Sequence, residues 1–397
     1  MKKNKKIKVG LLVEEFFSNS IPIYACKGGY GMLARNYICK YIPTNDIQID
    51  VIIGLNDQDT IRIEKVDDTN IIYLPKISPK SFTQKVKNKV FNKQKEVVKS
   101  IIDSFDIFLS IEFTTITYFV MQHASKNQKL IFWIQDPRPQ SDWDELDTLA
   151  LSKQNGYRPN KFISTIINKL YNENRLISIT QGQCLINKAI DLYQLPPNYT
   201  AKFVPNPINI PYITQEEVKN KKNYIVSLGR IDSVKRTWII AETAKRMPNY
   251  EFYFMGQIHE LPMHDIMKPY LSLKNCHFVG HLEGQDKDKL LRESKILINT
   301  SIHEAIPISF LEAMSYGTLI VSNRNPDNLT EKFGINIEQV NGDGYDSVGK
   351  FEDAINQIMN NPQYFNSLSQ KAIEYINKVH NTNDFITTIR NIIRNNA

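Results

Sequence analysis

Pro307 limits what this chain can fold into more than any other residue, because it breaks what would otherwise read as one helix between two apolar runs. Ahead of it, Lys295-Ile296-Leu297-Ile298-Asn299 reads as a short buried strand. A proline disfavours helical geometry at the preceding residue, here Ile306, but fits the first turn of a helix that begins there. Phe310, Leu311 and Met314 recur at helical spacing, and Gly317 is a natural stop. Thr318 to Ser322 reads as the next strand. Strand, loop, helix, strand is the unit of parallel sheets, so an α/β fold is expected.

Two carboxylates, Glu304 and Glu312, stand eight residues apart in this unit. The proline puts Glu304 in the loop at the strand's carboxyl end and Glu312 in the second turn of the helix. Between them the N–H groups of Ile308, Ser309 and Phe310 open the helix, an anion site that the helix dipole strengthens. An anion cradle with a carboxylate on each side suits a ligand with a phosphate centre and two hydroxyl-rich ends. A nucleotide sugar has that shape.

The segment resembles the Glu-x7-Glu signature of retaining glycosyltransferases of the GT-B fold, in particular glycosyltransferase family 4. Glu304, Pro307, Glu312, Ala313, Met314 and Gly317 match the family's pattern, while Ala305 and Ile306 stand where a glycine and an aromatic residue are usual. Other stretches are similar to the same family. Gly229-Arg230, with Lys235 five positions after the arginine, falls at the spacing of its Gly-Arg-x4-Lys element. Cys276 to His281, with Val279 and Gly280, resembles the stretch whose backbone edges the nucleotide base. Lys202 to Asn209 resembles the end of the family's first domain, with Pro207 in place of a glycine.

The chain has 397 residues, enough for two domains with substantial cores. Its 42% hydrophobic and 23% charged content is that of a globular protein. No run approaches the ~18 apolar residues of a membrane helix. The basic start, MKKNKKIKVGLLVEEFF, is cut short by Glu14 and Glu15 and reads as a first strand rather than a signal peptide. Cys26, Cys39, Cys184 and Cys276 are scattered, as expected in a reducing cytosol. No internal repeat stands out.

The first half is the basic one: residues 1–206 hold 28 Lys and Arg against 20 Asp and Glu, and the remainder 21 against 22. Within it, residues 76–99 carry eight lysines around Phe82, Val86 and Val90. That pattern fits a solvated surface helix or an amphipathic surface that meets anionic lipid at the inner face of the membrane. No nucleic-acid motif accompanies it. Near the start, Gly28-Gly29 opens a helical stretch, which lets backbone approach a phosphate or sugar closely. Lys129 to Asp136 reads as a strand ending in Gln135-Asp136, where many family members have His-Asp. The loop from Pro137 to Asp147 is a candidate acceptor lip or an exposed connector. Strands are also read at 49–54, 71–74, 106–112 and 176–180, and helices at 114–123 and 183–193. Residues 211–222 read as an interdomain linker and 289–295 as a helix.

The resemblance implies two Rossmann-like domains facing a central cleft. Residues 1–210 would take the acceptor, with a last helix at about 384–397 packing back on them, and residues 211–383 the nucleotide-sugar donor. By the same likeness Glu304 would hold the donor sugar, Glu312 the ribose, and Gly28, Gly29, Gln135 and Asp136 the acceptor or sugar side. Arg230 and Lys235, with the helix N-terminus, would stabilise the departing diphosphate. The two cations would replace a divalent ion, since the Asp142-Trp143-Asp144 pair lies in the acceptor half, so neither metal nor cofactor is expected. The expected activity is retaining transfer of a sugar to a glycan or lipid-linked acceptor in bacterial surface glycoconjugate synthesis. A nucleotide-sugar epimerase, a sugar phosphorylase or a non-catalytic sugar-binding partner is the alternative.

Overall fold

The computed structural model describes residues 6–14, 16, 28–56, 61–75, 96–151, 161–338 and 340–397. Residues 76–95, most of the lysine-rich stretch, lie outside the described residues. The chain divides into two compact units, one of Met1–Pro137, Asn160–Pro207 and Thr382–Ala397, the other of Arg138–Pro159 and Ile208–Asn381. Both are doubly wound α/β structures.

The first unit is built on eight strands: β1 (Ile7–Leu12), β2 (Ile47–Asn56), β3 (Arg62–Val66), β4 (Thr69–Pro75), β5 (Ile107–Ile111), β6 (Lys129–Ile134), β7 (Leu176–Thr180) and β8 (Lys202–Phe203). Their order is β3-β4-β2-β1-β5-β6-β7-β8. Every neighbouring pair is parallel except β3 with β4, a hairpin whose exposed, charge-rich first strand gave no apolar signal in the sequence. The central strands are buried on both faces, which is why β5 and β6 read as continuous apolar runs. The last helix, Thr382–Arg394, belongs to this unit. Phe385 stacks on Trp133 with ring centroids 5.3 Å apart, and Arg394 pairs with Asp46 at 2.8 Å.

The second unit holds six parallel strands: β9 (Lys222–Leu228), β10 (Glu251–Met255), β11 (Cys276–Gly280), β12 (Ser294–Asn299), β13 (Leu319–Ser322) and β14 (Gly334–Asn336). The order β11-β10-β9-β12-β13-β14 places the fourth strand in sequence beside the first, so the winding reverses between β9 and β12. This is the order of a Rossmann sheet, whose ligands lie at that reversal, outside the strands' carboxyl ends. Ile225, Phe252, Phe254, Ile296 and Ile298 form one core with Trp238 and with Phe351, Ile355 and Ile358 of the Val348–Met359 helix.

Three segments depart from the sequence reading. Residues 140–147, read as part of a loop, form a helix (Gln140–Asp147) that groups with the second unit, because Leu146 and Leu149 are buried in that unit's core. Within 211–222, Thr214 and Glu217 close a capping box on a short helix (Gln215–Lys219), and β9 begins at Lys222. The helix expected at 289–295 runs instead from Gly284 to Glu293. It stops where buried Lys221 donates to the carbonyls of Leu291, Arg292 and Ser294, at 2.9, 2.8 and 2.8 Å.

The carboxyl ends of β9 and β10 approach so closely that a Cβ on Gly256 would lie 1.8 Å from the Gly229 carbonyl oxygen. Gly256→Ala should therefore lower stability by about 1–3 kcal/mol, the scale for overpacking. Gly349 has open space around its Cβ position in the first turn of the Val348–Met359 helix. Gly349→Ala should be neutral or stabilising by about 0.4–1 kcal/mol. Urea unfolding of the two variants separates these outcomes, and equal stabilities would contradict the packing.

Candidate functional site

The site is built at the reversal between β9 and β12. The two strands pair in parallel, with Ile296 opposite Ile225 and Leu297 opposite Val226, so their carboxyl ends emerge side by side. After β9 the chain turns through Gly229, Arg230 and Asp232 to Lys235 and Arg236. After β12 it runs through Thr300 and Ser301 to Glu304. Among the hydrogen bonds that join these loops, Ile302 N–H donates to Val234 O at 2.8 Å, and the Thr300 hydroxyl to Lys235 O at 2.7 Å.

Sixty-nine residues apart in sequence, Lys235 Nζ and Glu304 Oε1 meet at 2.5 Å. The Glu304 carboxylate also accepts from Asn299 Nδ2 at 2.8 Å and Ser301 Oγ at 2.6 Å. Burial opposes its charge, but the Lys235 ammonium and the three hydrogen bonds together hold its pKa below the ordinary glutamate value. Glu304 is thus an anion in the fold, next to a cation. Arg230 is different: its side chain is 54% exposed, and its Nε lies 3.2 Å from Asp232 Oδ2. Its guanidinium keeps room to reach a ligand.

The helix after Pro307 runs from Ile308 to Ser315, with Pro307 as its cap residue in extended geometry. Glu312, on this helix, pairs with Lys287 at 2.6 Å. The expected trio of open amides becomes a pair. Phe310 N–H donates to Pro307 O at 3.0 Å in a tight first turn, which leaves the Ile308 and Ser309 amides at the helix start. Val279 and Gly280 close β11, with β10 and β9 between it and β12, and Gly280 has a φ of +72°. The structure therefore gathers Gly229, Arg230, Lys235, Glu304, Glu312, Ile308 and Ser309 around neighbouring strand ends and one helix, with Val279 and Gly280 at the far edge.

The remaining expected residues belong to the first unit. Gly28 and Gly29 open a helix, Gly28–Met32, that continues as a π-helical stretch, Leu33–Cys39. Gln135 is 1% exposed, and its amide exchanges two hydrogen bonds with Asn206, at 2.9 and 3.0 Å. That side chain is committed inward, to Asn206. Asp136 stays half-buried. Both residues' backbone N–H groups donate to Glu112 Oε2, at 3.0 and 2.7 Å. Burial pushes the Glu112 carboxyl up, against the pull of those amides and of the Tyr193 hydroxyl.

Sequence reasoning passed over Lys287, Asn299, Arg236 and His303, which have no motif spacing and join the site only by packing. Arg236, wholly buried at a φ of +46°, donates to the carbonyls of Thr300, Val340 and Gly342 at 2.9, 2.8 and 3.1 Å. Burial lowers its pKa to about 10. Asp142 falls in the second unit and pairs with His303, so its placement on the acceptor half, and the argument about metals drawn from it, does not hold. Among the described residues no three His, Cys, Asp or Glu side chains gather as a metal site.

Because folding depresses the Glu304 pKa, its stabilising contribution is complete above the ordinary glutamate range and fades as pH falls through the folded value. Glu304→Gln should cost about 1–3 kcal/mol at pH 7, the scale for leaving a buried partner unpaired. The cost should shrink as pH drops below about 4.3, the ordinary glutamate value. Urea midpoints of both proteins between pH 7 and pH 3 check this, and a difference that stays constant would contradict it.

Residues 211–378, which contain the whole β9–β12 site, match the family model described as glycosyl transferases group 1. No curated protein matches the chain. Among solved structures it is similar to HepE of Anabaena in complex with UDP, at 11% identity and a TM-score of 0.65, covering 98% of this chain and 100% of that one. Sucrose-phosphate synthase from Thermosynechococcus elongatus gives 12% identity and a TM-score of 0.68 over 98% and 99% of the two chains. A glycosyltransferase from Rickettsia africae gives 14% and 0.64 over 99% and 100%. At such identities the likeness is one of fold: the chain has the α/β fold of the GT-B glycosyltransferases, and its second unit carries the group 1 match.

Proposed function

We propose that the protein is a retaining, metal-independent glycosyltransferase that moves a sugar from a nucleoside diphosphate sugar to a glycan or lipid-linked acceptor. The observation that carries this reading is the meeting of Lys235 and Glu304 at the β9–β12 reversal, close in the fold to the Ile308–Ser315 helix. A diphosphate carries about two negative charges and gains more as the glycosidic bond breaks. Lys235, the exposed Arg230 and the open Ile308 and Ser309 amides supply donors for that developing charge. Glu304, held ionised, accepts hydrogen bonds from donor-sugar hydroxyls, and Glu312 from the ribose. HepE was solved with UDP, and this chain's group 1 segment is the part that takes the nucleotide in our reading.

The acceptor falls to the first unit, with Gly28, Gly29 and Asp136 on its side of the reaction and Gln135 setting the loop shape through Asn206. Surface glycoconjugate synthesis at the cytoplasmic membrane face suits that acceptor class. Among the described residues no helix is long and apolar enough to cross a membrane. In this reading attachment falls to the positive charge of the lysine-rich sequence 76–99.

Incubation with a panel of nucleotide sugars tests the activity: slow release of free nucleotide supports a transferase, and an epimerised sugar supports the epimerase reading instead. Lys235→Ala should lower turnover by roughly 10²–10³, the scale for one lost transition-state donor. Glu312→Ala should weaken binding of a nucleoside diphosphate, while Glu304→Ala spares binding and impairs transfer. Calorimetry beside turnover reads both, and equal losses in the two glutamate variants would sink the assigned roles.

Changing Lys85, Lys87, Lys89 and Lys93 to Gln should abolish sedimentation with anionic vesicles at low salt and leave donor hydrolysis intact. An unmodified protein that fails to sediment would point to a soluble acceptor.

A further inference from the structure

The helix Gln140–Asp147 lies, in chain order, between two elements of the first unit, β6 and the Lys161–Asn172 helix, yet it packs with the second. Apolar residues of the helix and of the turn after it explain the docking: Leu146 and Leu149 are buried in the second unit's core and Trp143 packs against it. Just beyond the helix, the N–H groups of Ala150 and Leu151 both donate to Asp343 Oδ1 at 3.1 Å. Docking alone needs no acidic side chains. The helix nevertheless turns two inward, Asp142 and Glu145, at the three-residue spacing that puts them on one face.

Each of these acids lands on a group that holds the Glu304 loop. Asp142 pairs with Nδ1 of His303, a 4% exposed side chain one residue before Glu304. Both oxygens of Glu145 take a hydrogen bond from Arg324 Nη2, at 2.5 Å each, and one lies 3.9 Å from Arg236 Nη2. Arg324 Nε in turn donates to Ser301 O at 3.0 Å, and Arg236 donates to Thr300 O at 2.9 Å and Ser301 O at 3.4 Å. Two guanidiniums thus converge on the carbonyls of residues 300 and 301. Glu145 is the anion that faces both guanidiniums, and its charge offsets their mutual repulsion in a water-poor site.

We propose that Asp142 and Glu145 are positioning residues for Glu304. They act from outside the 211–378 segment, through His303 on one side and the Arg324–Arg236 pair on the other, to fix where the Glu304 carboxylate stands. The role in turnover rests on the transferase reading above. The positioning itself does not.

The test uses the full chain with Glu145→Gln and Asp142→Asn, near-isosteric changes that keep an acceptor but remove the charge, and Asp147→Asn on the exposed side of the same helix as a control. Turnover of donor should fall roughly 10–100-fold in the first two, the range for a small misplacement of a reacting group. Nucleoside diphosphate affinity should be unchanged, because Glu312 and Lys287 sit elsewhere. Combining Glu145→Gln with Glu304→Gln should lower turnover no further than Glu304→Gln alone. Full additivity, or losses matched by Asp147→Asn, would overturn the proposal. If the unmodified protein transfers no sugar, the transferase reading fails by itself. The same double-mutant cycle read by urea unfolding then decides the positioning: a coupling between Glu145 and Glu304 supports it, and strict additivity overturns it. Should Glu145→Gln not fold, the Asp142→Asn cycle gives the same decision.

Discussion

The buried guanidinium of Arg236 ties together three loops of the second unit. It leaves the end of β9, donates to both carbonyls at the end of β12, and reaches Val340 and Gly342 beyond β14. Parallel strands emit their loops side by side, but a sheet does not fix how those loops stand relative to each other. A charged, five-donor fork aimed at carbonyl oxygens does, because each of those oxygens would be costly to bury unpaired. Lys235 precedes this fork directly, and Glu304 follows the carbonyls it holds. The 2.5 Å pair between them is therefore a consequence of the Arg236 tie as much as a cause of order.

Charge in this site is balanced locally. Glu304 answers Lys235, Glu312 answers Lys287, Asp232 answers Arg230, and Glu145 answers Arg324 and Arg236. Each pairing keeps an ionised group in a partly dry environment and gives it a defined position. A bound diphosphate would enter as an additional anion. The groups able to meet it are the exposed Arg230, the remaining ammonium hydrogens of Lys235, and the helix-start amides. Preorganised donors of this kind stabilise charge without reorganising when it forms, the property on which electrostatic catalysis relies.

The first unit shows the same economy in a hydrogen-bonded network. Glu112, Gln135, Asn206, Gln181 and Tyr193 satisfy one another and the backbone where β5 and β6 end. The network sets the shape of the loop at Asp136 from behind, without exposing Gln135.

The sequence by itself determined the α/β class, the proline break before the 308–315 helix, and the spacing that singles out Glu304, Glu312, Arg230 and Lys235. These are local facts: apolar runs, a fixed proline φ and a glycine stop act over a few residues and can be read in one dimension. The tertiary structure decided what those side chains meet. That Lys235 faces Glu304 and that Gln135 turns inward depend on contacts between segments 69 and 71 residues apart. The helix at 140–147 is the clearest case. Its pattern of acids, Trp143 and leucines is compatible with an exposed loop, and only the core it fills and the two arginines it faces make it part of the second unit. No local propensity records partners supplied from 91 to 179 residues further along the chain, so its place is fixed by burial and charge in three dimensions.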